Sequence, residues 1–107
     1  MIVESSGTQT AVVGTEHTLA SPTTGKTRAL LVDVTAQVAG DIVELRIFGP
    51  VLASGTSRLI IMSTFPGVVA DSHTQSWPAI MPHGGTVTLK QTAGTARAYP
   101  WDVVTLD

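Results

Sequence analysis

Apolar and polar residues alternate along this chain with a period of two, in short runs separated by glycine, proline and serine. That period places successive side chains on opposite faces of a β-strand. From Thr27 to Thr35, Arg28, Leu30, Val32 and Val34 share one face, and Ala29, Leu31 and Asp33 the other. Both faces are partly apolar, which predicts a central strand. From Asp41 to Phe48, Val43, Leu45 and Ile47 alternate with Ile42, Glu44, Arg46 and Phe48, so Glu44 and Arg46 share the solvent face. The run from Arg58 to Phe65 is apolar on both sides, with Leu59, Ile61 and Phe65 opposing Ile60 and Met62. Thr86 to Gln91 sets Val87 and Leu89 against Thr86, Thr88 and Lys90. Weaker patterns predict an edge-like strand over Thr8 to Val13 and a short strand over His17 to Ala20. A last strand or strand pair is predicted over Thr95 to Leu106, at an edge or bent at Pro100 because proline removes a ladder donor.

Turn signals recur between the runs, at Gly25, Gly40-Asp41, Gly49-Pro50, Ser54-Gly55, Pro66-Gly67, Pro82 to Gly85 and Gly94. Many short strands at such spacing predict an all-β fold, an antiparallel β-sandwich that is jelly-roll-like, with seven to eight strands. Little helix is expected; only Val34 to Val38 or Gly67 to Ser76 suits a turn or two. No linker or composition shift divides the chain, so residues 1–107 read as one domain. Residues 1–10, which include Ser5-Ser6-Gly7-Thr8-Gln9-Thr10, read either as a flexible N-terminal arm able to add a strand to a neighbour or as a disordered terminus.

Composition changes what this sandwich is for. Only 13% of residues are Asp, Glu, Lys or Arg, while 43% are apolar, against roughly 25% charged in an average soluble domain. The polar remainder is dominated by sixteen threonines with serine and glycine. A surface so poor in charge is either a neutral, hydroxyl-rich sheet or one covered by other copies or another protein. Net charge is −2 and the six basic residues are scattered singly. Nucleic-acid binding, which needs a basic patch to release phosphate counterions, is not expected. The chain has no cysteine, which excludes disulfides and thiolate chemistry. The N-terminus lacks a signal-peptide pattern and no apolar run approaches the ~20 residues of a membrane span. A cytoplasmic origin without a membrane anchor is therefore expected.

Candidate chemistry is sparse. Asp71, Ser72 and His73, with His83 downstream, have the residue types of a nucleophilic triad, but adjacent residues in a loop point different ways. Asp71, His73 and His83, or Glu16 with His17, lack a recognised metal-ligand spacing. Asp33 interrupts an apolar strand and needs a partner from Arg28, Arg46 or a turn amide. No catalytic, metal or cofactor-binding residue is assigned, and no enzymatic activity is expected. Trp77, Tyr99 and Trp101 read either as core aromatics or as candidate interface residues, for a subunit, a partner or a sugar ring. Thr8 and Thr10, in the N-terminal segment, complete the candidate interface.

Three stretches carry a resemblance: His17-Thr18-Leu19-Ala20 running into Thr23-Thr24-Gly25-Lys26-Thr27; Gly40-Asp41-Ile42-Val43-Glu44-Leu45-Arg46-Ile47; and Thr88 through Trp101. From His17 onward the chain resembles small β-rich proteins encoded among the structural genes of tailed bacteriophages. The resemblance implies a virion component without enzymatic activity, made in the host bacterial cytoplasm. Such a protein decorates or cements the capsid as a dimer or trimer on the major capsid protein or another virion protein. The alternative is a tail-associated or receptor- and carbohydrate-binding β-sandwich module. Apolar, neutral contacts suit a cement protein because salt does not screen them.

Overall fold

The computed structural model of the protein describes residues 1–68, 73–76 and 78–106, with backbone only for residues 73–75. Among the described residues nine strands follow one another: β1 (Ile2–Thr10), β2 (Glu16–Ala20), β3 (Lys26–Asp33), β4 (Ile42–Gly49), β5 (Arg58–Pro66), β6 (His73–Gln75), β7 (Ala79–Met81), β8 (Thr86–Ala93) and β9 (Ala98–Thr105). The short β6 and β7 both pair with β3, so together they fill one strand position. The nine segments thus occupy eight positions, and the described residues include no helix. One sheet runs β1-β9-β3-β6/β7 and the other β2-β8-β4-β5, with every pairing antiparallel.

The pairings nest. β4 pairs with β5, β3 with β6 and β7, β2 with β8, and β1 with β9. The chain is therefore a long hairpin, rolled so that alternate pairs fall in opposite sheets. Eight strands wound this way form a jelly roll.

The core lies between the sheets and comes from the inward phase of the central strands. Leu30, Val32, Val43, Leu45, Ile47, Val87, Leu89, Tyr99 and Val103 are all fully buried. β3 is central, as its two apolar faces predict. Arg28 occupies the same inward phase and is also fully buried. Its guanidinium donates from Nε to Glu4 Oε1 (2.7 Å) and from Nη2 to Glu4 Oε2 (2.9 Å). Nη1 and Nη2 also donate to the carbonyl and hydroxyl of Thr24. Glu4 is the extra residue of a bulge in β1 between Val3 and Ser5. The hydrogen bonds from Arg28 hold its carboxyl below the usual range.

The structure corrects three expectations. The first strand is Ile2–Thr10 rather than Thr8 to Val13, so the segment read as a free arm supplies an edge strand to its own sheet. Its mostly polar sequence gives no alternation because an edge strand with one half-covered face needs little. The last strand runs unbroken through Pro100 and lies between β1 and β3. Its pairing with β3 stops at Val32 opposite Trp101, so no partner strand awaits the missing amide of Pro100 on that side. The stretch 67–76, read as a helical turn or two, contributes β6 at His73–Gln75.

Candidate functional site

Buried polar side chains tie down one end of the sandwich. Asp41, almost fully buried, accepts hydrogen bonds from the Val38 amide (2.9 Å), the Thr95 amide (3.0 Å) and Arg97 Nε (2.8 Å). These hold its carboxyl below the usual carboxylate range, the Val38 amide first. Gly94 has φ +90°, and a Cβ there would run into Asp41. Gln91 donates to the carbonyls of Ala93 and Thr95 and accepts from the Arg97 amide. Gln37 donates to the carbonyls of Phe65 and Gly67 and accepts from the Tyr99 hydroxyl at 3.2 Å. Asp41, Gln91 and Gln37 each hold neighbouring backbone, and Arg97 and Tyr99 bond to two of them, so this cluster is a structural plug.

The aromatic candidates separate. Tyr99 has no exposure, and burial, then the negative charge of Asp41, pushes its phenol up to about 12. It belongs to the core, and the structure removes it from the interface candidates. Trp77 lies outside the described residues. Trp101 packs half-buried on the core margin, one residue in register from Thr8 across β1 and β9. Ser6, Thr8, Leu31, Asp33, Pro100 and Asp102 line a shallow groove of about 400 Å³ on the outer face of the first sheet, while the Trp101 indole lies on the inner side over Gly7. Thr10 lies exposed at the end of β1. Asp33 ends β3 and accepts from the amide (2.9 Å) and hydroxyl (2.6 Å) of Thr35, the turn-amide solution to its position.

The catalytic and metal candidates gain no support. Asp71 and Ser72 lie outside the described residues, as does the side chain of His73. His17 accepts at Nε2 from the Val12 amide (3.0 Å), which ties the β1–β2 loop. Among the described residues no group of three or more His, Asp or Glu could hold a metal ion.

The second sheet carries a surface that sequence reasoning missed. Its outer face is divided. Toward β2, Arg46 bridges Glu44 (2.9 Å) and Glu16 (3.7 Å), and the Thr88 hydroxyl donates to Glu16 (2.6 Å). Toward β5, the face is apolar: Leu59, Ile60 and Met62 are exposed beside Phe48. The tip of the β4–β5 hairpin adds Val51 (85% exposed) and Leu52 (70%). Among the described residues β5 is also an edge strand, paired on one side by β4. A run apolar on both faces implies a central strand, yet here it stands at an edge. That contradiction was the available signal.

The class the fold defines is therefore a jelly-roll sandwich with an aliphatic flank. In comparisons with known proteins, the chain matches no family model, no curated protein and no solved structure.

Proposed function

We propose that this chain is a non-enzymatic structural protein of a bacteriophage virion, a capsid decoration or cement protein that stabilises the head through homo-oligomeric contacts. The observation that carries the reading is a jelly roll, an architecture used by viral capsid and lectin domains, whose flank at β5 and the β4–β5 tip is aliphatic rather than charged. Burying such a flank against a repeated lattice is favourable by roughly 25 cal/mol per Å² of apolar surface and is insensitive to salt. The resemblance to structural proteins of tailed phages points the same way. The test is co-sedimentation of the purified protein with undecorated heads, and separately with tails, of a tailed phage that encodes it. Saturable binding to heads that persists in high salt is expected, and failure to bind either particle overturns the reading.

The groove on the first sheet favours a second reading, a receptor- or carbohydrate-binding module. It brings Asp33, Asp102 and the Thr8 hydroxyl together on one open face, residue types that hydrogen-bond to sugars. Binding on a glycan array that is lost in Asp102→Ala would support it, whereas array silence would remove it.

A further inference from the structure

We propose that the β5 edge is a self-association surface, where a second copy of this chain adds its own β5 antiparallel about a two-fold axis at Ser63. The two β2-β8-β4-β5 sheets then become one continuous eight-stranded sheet. The inference rests on the homo-oligomeric assembly proposed above and names where that assembly begins.

Natural proteins blunt a sheet edge with charge, proline, bulges or shortness. β5 is nine residues long, with its one charge, Arg58, and its one proline, Pro66, at opposite ends. Its bulge at Ile60 leaves the register with β4 unbroken from Ile61 to Pro66. Ser63 is the middle of the uncharged stretch Ile61–Phe65.

A second copy fits this edge better than an arbitrary strand does. Antiparallel pairing about Ser63 keeps the phase of the faces, since residues of equal parity meet. Ile61 faces Phe65 of the other copy, and these two half-buried side chains already pack on the core margin. That is an aliphatic–aromatic cross-strand pair of the kind that stabilises sheets. Met62 faces Thr64 on the outer side. The two Arg58 charges are carried to opposite ends and do not meet. The hairpin tip with Val51 and Leu52 reaches past one end of β5, toward Pro66–Val68 of the other copy, where Val68 is 74% exposed. The patch is self-complementary, as a two-fold interface requires.

The area is sufficient. Nine residues at about 3.4 Å give an edge about 30 Å long, and two sheets about 10 Å apart with their outer side chains make a flank about 20 Å deep. Covering that flank buries about 600 Å² on each copy, or about 1,200 Å² in total, at the lower bound for a specific interface.

The chain has no cysteine, so Ser63→Cys introduces a single thiol on the proposed axis with little change in volume. The expected results are a native mass of twice 11.1 kDa at micromolar concentration and rapid formation of a disulfide-linked Ser63→Cys dimer. Thr64→Lys is the second variant. Thr64 is exposed and faces Glu44 across the β4–β5 pair, so lysine suits the single copy but sets charge on the joined edge. It should weaken the dimer at least tenfold without lowering the melting temperature measured at a dilution where both proteins are monomeric. Thr15→Lys, exposed in the β1–β2 turn beside the opposite edge of the same sheet, should leave the dimer unchanged. A monomer at every concentration up to about 100 μM overturns the proposal. So does an oligomer that ignores Thr64→Lys and leaves Ser63→Cys unlinked, an outcome that would keep homo-oligomeric assembly and move it to another surface. Head binding is scored separately on the wild-type chain, so its loss tests the virion reading alone.

Discussion

Tyr99 is the only tyrosine in the chain, so its ionisation can be followed without interference. Its hydroxyl is buried, donates to Gln37, and lies where Asp41 opposes a second negative charge. The folded protein keeps this proton up to about pH 12, whereas an unfolded chain releases it near the ordinary value of about 10. Above pH 10 the unfolded state therefore binds fewer protons than the folded one, and stability falls until the pH passes the folded value. Two units at about 1.4 kcal/mol each set a loss of roughly 2–3 kcal/mol between pH 10 and 12. The assay pairs tyrosinate absorbance with urea midpoints at pH steps across this range, on the wild type and on Tyr99→Phe. Tyr99→Phe should lower stability by about 1 kcal/mol at neutral pH through its lost hydrogen bond. It should also flatten the alkaline decline. If tyrosinate forms near pH 10 while the circular dichroism of the fold is intact, the burial argument is wrong. An equally steep alkaline decline in Tyr99→Phe would refute the assignment to this phenol.

Two further outcomes test the polar anchors. Glu4→Ala leaves the guanidinium of Arg28 buried without its carboxylate; since Glu4 keeps 30% side-chain exposure, a loss of about 2–4 kcal/mol in urea unfolding is expected. Asp41 has a depressed carboxyl, so its contribution is fully present above the ordinary aspartate value near 3.9 and is lost as pH falls through the lower folded value. Asp41→Asn should unfold at lower urea than the wild type at pH 6, with the gap closing in strong acid.

Strand positions were legible wherever one face meets the core. Leu30, Val32, Val43, Leu45, Ile47, Val87 and Leu89 keep period two and are all inward, so β3, β4 and β8 follow from the sequence to within a few residues. β1 was displaced because Ser5 to Thr10 carries no apolar alternation; its place is set by pairing with β9, a partner about ninety residues away. Arg28 sat in plain view on an apolar phase, but its partner, Glu4, comes from that same misplaced strand. Tyr99 and Trp101 share one face, as their spacing implies, yet pattern cannot separate the buried middle of a sheet from its rim. The β5 surface was missed for a related reason: alternation reports which faces are apolar, and lateral position in a sheet depends on strand order.

The nested pairing also sets an order of events during synthesis. Only β4 and β5 are neighbours in both sequence and sheet, joined by a short hairpin. Each further layer closes a longer loop before its contacts form, and such non-local closure is slow. β1, which leaves the ribosome before the other eight strands, has no sheet neighbour until β9 has emerged. The innermost hairpin is therefore complete while the outer layers are still unmade, and it holds the bare edge of β5. If β5 pairs with a second copy as proposed, siblings on ribosomes translating one message would join by that edge before either sandwich has closed.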